Sequence, residues 1–308
     1  MPIATFHHFV SPRWFAAIGG WTAPEAPELF ARYVTRAAMA VGDLIGAACT
    51  MNEPNAQVTS YVMRGEVGSP KEAAMIAEAN RRTGSDRFGA YFMGDAFKVR
   101  DACLAAHVRA TEAIKSVVPT LKTGLTLALQ DLRAGPGGER CHKRIFEEAR
   151  RPFYESCAKD DFIGPQPYTR FVTGPDGYLP APDGVMLNRW GADSSPDVML
   201  AVLHEVQKHC GAPMLISENG IDTQDDAVRV RHLIASVAAL KQASDGGMKV
   251  LGYLHWSLID NFEWRSGYAP KFDLYAVDPT TFARTAKPSA AAYRSLVRSA
   301  GSRTVRAL

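Results

Sequence analysis

Glu218 ends a short apolar run, Pro213 to Ile216 with Ser217, and is followed by Asn219 and Gly220. Glu53 ends a second run, Leu44 to Cys49 continued by Thr50-Met51-Asn52, and is followed by Pro54 and Asn55. Apolar runs of this length, bounded by turn residues, have the pattern of buried strands. A carboxylate at the end of a buried strand is costly unless it has a partner or a task. Two carboxylates facing one pocket suit cleavage of a glycosidic bond. One is protonated and donates to the leaving oxygen; the other is ionised and attacks the anomeric carbon. Mutual charge and unequal burial would separate their pKa values. Asn52 would offer an amide to a sugar hydroxyl. Trp14, Trp21, Trp256 and Trp264 lie near predicted strand ends or the loops beyond, where ring faces stack on sugars. On spacing alone, a metal site or a pair of structural ion pairs explains the same glutamates equally well.

The elements that would carry these residues alternate. Ile3 to Phe9 reads as a strand, Gly19-Gly20-Trp21 as a turn, and Leu29, Phe30, Tyr33, Val34, Ala37 and Val41 recur at helical spacing. The strand ending at Glu53 leads into a long polar loop to about Arg87. A helix then carries Leu104, Val108, Thr111 and Ile114 on one face. Lys122 to Leu129 is a predicted strand, Glu139 to Arg151 a helix, and Asp161 to Tyr168 a strand weakened by Pro165 and Pro167. Thr173 to Ser194 is rich in Gly, Pro and Asp and reads as a loop. Ser195-Pro196-Asp197 predicts a helix start, with cap, proline and first-turn acid, and that helix runs to about Cys210. After the Glu218 strand come a helix over 225–244, a strand from Val250 to Ile259, a loop with Asn261-Phe262-Glu263-Trp264, and a helix from Ser289 to Arg298.

Strand and helix in alternation predict right-handed βαβ units on a parallel sheet. Six units are legible, without an internal repeat. No glycine-rich phosphate loop follows a strand, which makes a dinucleotide fold the weaker choice. A parallel barrel puts all strand carboxyl ends on one face, where Glu53 and Glu218 would meet. The fold class expected is therefore α/β of the (β/α)8 TIM-barrel type, with about six of the eight units and a single domain over residues 1–308.

With 308 residues, 46% hydrophobic and 22% charged, the composition is that of a globular protein. A net charge of +3 is too small to imply nucleic acid or an anionic membrane as partner. The basic residues Arg298, Arg303 and Arg306 read as a solvated terminus. Cys49, Cys103, Cys141, Cys157 and Cys210 are scattered, with no CxxC pair, so neither a disulfide framework nor a zinc site is expected. A reducing, cytoplasmic home is the expectation. The first residues lack a signal-peptide pattern, and no apolar run approaches transmembrane length. No cofactor and no metal is expected, and the histidines lack ligand spacing such as HExxH.

Five motifs narrow the reading. Thr50-Met51-Asn52-Glu53-Pro54 resembles the TxNEP acid/base motif of glycoside hydrolase family 1, the β-glucosidase family. Ile216-Ser217-Glu218-Asn219-Gly220 resembles its nucleophile motif, with serine for threonine. Thr5-Phe6-His7-His8-Phe9 with Pro12, then Gly19-Gly20-Trp21, is similar to its third strand. Gly252 to Trp264 is similar to its eighth-strand signature. Gly267-Tyr268, Lys271-Phe272, Asp278, Arg284-Thr285 and Lys287-Pro288-Ser289-Ala290 follow its C-terminal pattern. The resemblance implies Glu53 as general acid/base, Glu218 as nucleophile and retention of anomeric configuration. It implies Asn52 on the sugar 2-hydroxyl and His8 on the 3-hydroxyl. Trp256 would lie under the ring, Glu263 would grip the 4- and 6-hydroxyls with Trp264 beside them, and Tyr168 would bond to the nucleophile. His7, His107 and His204 receive no role. The implied substrate is a small unphosphorylated β-glucoside or β-galactoside.

Three departures stand out. Gly164-Pro165-Gln166-Pro167-Tyr168 replaces the usual sixth-strand GxNYY, so Gln166 would present its amide differently. Lys271-Phe272-Asp273 replaces RFG, expected to alter only an outer loop. The first two βα units of the family have no counterpart in the chain, and with them go a sugar-binding glutamine and an arginine that supports the nucleophile. The alternative to a working glycosidase is thus an inactive or weakly sugar-binding incomplete barrel, with an edge through which an oligomer could form.

Overall fold

The computed structural model describes residues 1–64 and 70–301. In chain order the strands are β1 (Ile3–Thr5), β2 (Ala47–Asn52), β3 (Lys122–Ala128), β4 (Asp131–Ala134), β5 (Phe162–Gln166), β6 (Arg170–Gly174), β7 (Gly177–Leu179), β8 (Met214–Ile216), β9 (Val250–Tyr253), β10 (Tyr275–Val277) and β11 (Arg284–Ala286). The α-helices are α1 (Arg13–Ala17), α2 (Ala26–Val41), α3 (Ala56–Arg64), α4 (Pro70–Thr83), α5 (Ala96–Val117), α6 (Glu139–Ile145), α7 (Arg151–Cys157), α8 (Asp197–His209), α9 (Asp226–Asp245) and α10 (Pro288–Gly301). The chain divides into two compact units, Met1–Ala128 with Arg140–Ile163, and Leu129–Glu139 with Gly164–Leu308.

In the first unit β1, β2 and β3 pair in parallel, Ile3 opposite Ala47 and Ala47 opposite Lys122. The start of β5 joins them, where the Asp161 N–H donates to the Thr123 carbonyl at 3.1 Å. All six residues of β2 are buried, as a strand covered on both faces requires. Helix α2 buries Phe30, Val34 and Ala38, spaced by one turn, and packs on α5, which buries Val99, Cys103, Ala106, Ala110 and Ile114. Each large side chain so buried contributes about 1.5–3 kcal/mol. Helix α5 begins at Asp95, whose carboxylate accepts from the Phe97 and Lys98 N–H groups at 3.0 and 3.1 Å.

In the second unit β8 and β9 pair in parallel, with Met214 opposite Val250. The end of β5 reaches β8, where the Ser217 N–H donates to the Pro165 carbonyl. Pro165 thus sits in a strand with its carbonyl in use and no N–H to place. A separate sheet pairs β4 with β6 in parallel and β6 with β7 antiparallel. Arg170 fastens it, meeting Asp131, Asp193 and Asp197 at 2.5, 3.0 and 2.5 Å. Helix α9 is tied to α10 through Asp226, which accepts from the Ser289 N–H and hydroxyl.

The predicted polar loop before Arg87 is instead two helices, α3 and α4, with residues 65–69 outside the described residues. The predicted loop from Thr173 to Ser194 contains part of the β6–β7 hairpin. The first strand ends at Thr5 rather than Phe9, and the last at Tyr253 rather than Ile259. Pro196 holds the cap position of α8 without a side-chain cap bond, and Ser195 does not cap it. The predicted helix from Glu139 is α6, then a π-helical turn over Phe146–Arg150, then α7. Arg303 and Arg306 lie outside the described residues. Among the described residues no helix is long and apolar enough to cross a membrane.

Candidate active-site residues

Glu53 follows β2 directly, and its backbone is in the left-handed region at φ 48°. For a non-glycine residue this conformation costs of order 1–3 kcal/mol and persists only where the surroundings enforce it. Here they do. The Glu53 N–H donates to the Thr126 carbonyl at 2.9 Å, and the Glu53 carbonyl accepts from the Tyr91 hydroxyl at 2.6 Å. Burial pushes the Tyr91 phenol well above its ordinary range, so it remains a donor. The β2–β3 register shifts between Cys49 and Asn52, an irregularity that re-aims the side chains at the strand end.

Asn52 is buried and its amide is spoken for at both ends. Its Oδ1 accepts from the Thr126 hydroxyl at 2.8 Å, and its Nδ2 lies 3.1 Å from His8 Nε2. With Nδ2 as donor, His8 Nε2 is the acceptor and the ring is neutral. Burial agrees, holding the His8 pKa down at about 4. His7 is a core residue. It is 7% exposed, packs edge-on to Trp21, and meets the Ser11 hydroxyl through Nε2. Trp21, proposed from sequence as a stacking platform, is 2% exposed among His7, Phe15 and Phe30 and presents no face to a sugar. Trp14 is exposed on α1.

Glu218 lies two residues beyond β8, half-buried. The Tyr168 hydroxyl donates to its Oε2 at 2.8 Å. Asn219 anchors the turn, its Nδ2 donating to the Pro167 carbonyl and its Oδ1 accepting from the Tyr253 hydroxyl at 2.9 Å. A Cβ on Gly220 would stand 2.3 Å from the Trp256 carbonyl oxygen, so only glycine lets the two segments approach this closely. Trp256 is half-buried and its Nε1 donates to Glu263 Oε1 at 2.8 Å. Burial raises the Glu263 carboxyl above its usual range. Hydrogen bonds from Trp256 and Asn261 pull it back in part, and the Asp222 charge adds to the rise. Trp264 is half-buried beside it in sequence, and Gln166 is buried at the end of β5.

The first unit therefore gathers His8, Asn52 and Glu53, and the second joins Tyr168 to Glu218 and Trp256 to Glu263. Sequence reasoning passed over Tyr91, Thr126 and Tyr253, which hold Glu53, Asn52 and Asn219. The Tyr91-Phe92 pair, just beyond the stretch to about Arg87 that reads as polar loop, is an aromatic signal that was given no role. The substitution at Lys271-Phe272-Asp273 reaches inward rather than into an outer loop. Asp273 is 1% exposed and accepts from Ser257 and Asn261, while Lys271 Nζ pairs with Asp260. His204 is exposed on α8.

The model of glycosyl hydrolase family 1 matches residues 1–144 and 185–302. The chain belongs to that family. A solved β-glycosidase, BGL167, is 39% identical and superposes with a TM-score of 0.91, over 100% of this chain and 74% of that one. A β-glucosidase, 1317, is 38% identical with a TM-score of 0.88, over 97% and 74%. Among curated relatives, the galactolipid galactosyltransferase SFR2 of Arabidopsis thaliana is 28% identical over 96% of this chain and 47% of its own length. The β-galactosidase of Sulfolobus acidocaldarius is 27% identical over 97% and 66%. The chain thus spans just under half of the length of the first of these curated relatives and just under two thirds of the second. The family match omits residues 145–184, where Gln166 and Tyr168 lie.

Proposed function

We propose that this family 1 chain is a retaining β-glycosidase built as a single (β/α)-barrel catalytic domain, acting on small unphosphorylated β-glucosides or β-galactosides. Glu218 attacks the anomeric carbon while Glu53 gives its proton to the departing glycosidic oxygen, leaving a glycosyl ester on Glu218. Glu53, now a carboxylate, takes a proton from water, whose oxygen displaces Glu218 and restores the starting state. His8 and Asn52 bind ring hydroxyls, Trp256 supports the ring face, and Glu263 with Trp264 holds the far hydroxyls. Gln166 offers a further amide. No cofactor or metal takes part, and the protein works in the cytoplasm.

The observation that carries this reading is the hydrogen bond from Tyr168 to Glu218 Oε2, at a strand end and within the motif that matches the family's nucleophile. A hydroxyl donated to the carboxylate stabilises its ionised form, the form that attacks. Names of relatives, among them β-galactosidases, β-glucosidases and a galactosyltransferase, support chemistry at a glycosidic carbon. The test is release of p-nitrophenol from aryl β-glucosides and β-galactosides, with Glu218→Gln abolishing it and Glu53→Gln reducing it less than it reduces cleavage of alkyl glycosides, whose poorer leaving groups need the proton. Substantial turnover surviving Glu218→Gln overturns the reading.

A second reading is favoured by the coverage of relatives: residues 1–308 alone bind sugar but turn it over slowly. Strand β1 pairs with β2 and β9 with β8 as edge strands within their units, and such edges are where another chain can add. Both are short, at three and four residues, which limits that pairing. Turnover well below about 10 per second, with association in solution, supports this second reading.

A further inference from the structure

The first unit holds a second cluster of chemically active groups that the glycosidase reading does not use. His107 on α5, Cys157 at the end of α7 and Asp160 in the turn before β5 bring a ring nitrogen, a sulfur and a carboxylate oxygen within 4.8 Å of one another. All three are shielded from solvent, with His107 and Asp160 side chains 1% and 7% exposed and Cys157 fully buried. The turn is tight, since the Asp160 N–H donates to the Cys157 carbonyl at 3.0 Å. It therefore presents both ligands from one short segment.

The imidazole is oriented for coordination. Its Nδ1 lies 2.8 Å from the Thr50 hydroxyl, which leaves Nε2 facing the cluster. Nε2 is 3.0 Å from Asp160 Oδ2, yet that buried oxygen has no hydrogen-bond partner, so the two atoms lie side by side without hydrogen-bond geometry. A carboxylate oxygen buried without a hydrogen bond is costly. Two ligands on one tetrahedral ion, at bonds of about 2.0–2.2 Å, sit roughly 3.3 Å apart, close to the separation here. We propose that His107 Nε2, Cys157 Sγ and Asp160 Oδ2 form a site for a borderline-soft divalent cation, with Zn²⁺ the cation best suited and the fourth position taken by water.

The ligand set decides the class of ion. A thiolate with an imidazole favours zinc or cobalt over the hard cations magnesium and calcium. Binding releases the thiol proton, so affinity rises with pH. The ion joins α5 to the segment from α7 to β5 and works by stabilising the fold. It lies outside the sugar-cleaving groups and touches no substrate. Sequence spacing did not announce it, because the ligands stand at 107, 157 and 160 without a CxxC or HExxH pattern.

The test uses the 308-residue chain, unfolded, stripped of metal and refolded with one equivalent of Co²⁺. The expected result is a near-ultraviolet thiolate-to-cobalt charge-transfer band with strong tetrahedral visible bands, saturating at one equivalent and displaced by Zn²⁺. Cys157→Ser should remove the charge-transfer band, and Asp160→Asn should weaken binding at least tenfold. On the unaltered protein, Zn²⁺ should slow alkylation of Cys157 at least tenfold and leave Cys49, Cys103, Cys141 and Cys210 unchanged, which decides the matter even if a variant fails to fold. Absence of the band in the unaltered chain, or zinc protection of Cys141 or Cys210 instead, overturns the proposal.

Discussion

The Tyr168 hydroxyl meets Glu218 Oε2 at 2.8 Å, joining the residues that follow β5 to those that follow β8. A hydrogen bond to an ionised group is worth about 1.5–3 kcal/mol. Tyr168→Phe removes one oxygen and leaves the packing of the ring against Phe272 in place. The expected result is a fall in kcat/KM of roughly 10–100-fold with the thermal midpoint nearly unchanged. Steady-state kinetics on an aryl β-glucoside check it, and an unaltered kcat/KM removes Tyr168 from the mechanism.

Glu53→Ala tests the two duties proposed for Glu53 as acid and base. Loss of the proton donor should reduce cleavage of alkyl glycosides on the order of 100- to 10,000-fold and of activated aryl glycosides far less, because a good leaving group departs without a proton. Added azide should then restore turnover and yield a β-glycosyl azide. Product stereochemistry by NMR is the check; an α-azide contradicts retention.

The role proposed for Glu263, at the far end of the sugar, implies a charge preference. Its carboxylate, held by Trp256 Nε1, would repel a 6-phosphate at close range. The plain β-glucoside should therefore show the higher kcat/KM. A preference for the 6-phospho sugar, measured side by side, would falsify this assignment of Glu263.

Acid should destabilise the fold between pH 6.5 and 4. Burial holds His7, His8, His232 and His255 down at about 4, with charges of neighbouring groups adding to the shift at His7 and His232. The unfolded chain protonates the same rings near 6.5, so it binds more protons in this window and stability falls as pH falls. Asp273 acts the other way. Burial, with Asp260 beside it, raises its carboxyl to about 7, so the folded state holds a proton there that the unfolded chain does not. Four histidines outweigh that one shared proton. The urea midpoint should drop by roughly 1 M or more from pH 7 to 4.5, and His232→Gln should flatten the dependence. A midpoint that rises towards acid contradicts this account.

Much of the candidate site stands out in the sequence because its residues sit where strands end. Glu218 after Met214–Ile216 and Glu53 after Ala47–Asn52 are buried-strand termini, and the alternation of apolar run and carboxylate marks them locally. Helix α2 was legible for the same reason, since Phe30, Val34 and Ala38 repeat at one turn. Helices α3 and α4 were not. Helix α4 is low in hydrophobicity, with Glu72, Glu78, Arg81 and Arg82 along it, so its periodicity is faint and it reads as polar loop. The β6–β7 hairpin was hidden because β6 owes its place to Arg170 and three distant aspartates rather than to an apolar pattern. Trp21 was misjudged for a related reason. An aromatic after a glycine turn looks like a surface platform in sequence, and only the packing of His7, Phe15 and Phe30 around it makes it core. Tyr91, Thr126 and Tyr253 act through contacts with residues 30 or more positions away, which no local window contains.

The central claim is that Glu218 carries the sugar. An activated 2-deoxy-2-fluoro-β-glucoside forms the glycosyl ester and slows its hydrolysis, so the covalent species accumulates. After incubation, peptide mapping by mass spectrometry should find one added fluorosugar mass on the peptide that contains Glu218, absent in Glu218→Gln and chased off by a competent acceptor. Attachment at any other carboxylate, or turnover of this reagent with no covalent species on the chain, contradicts the account.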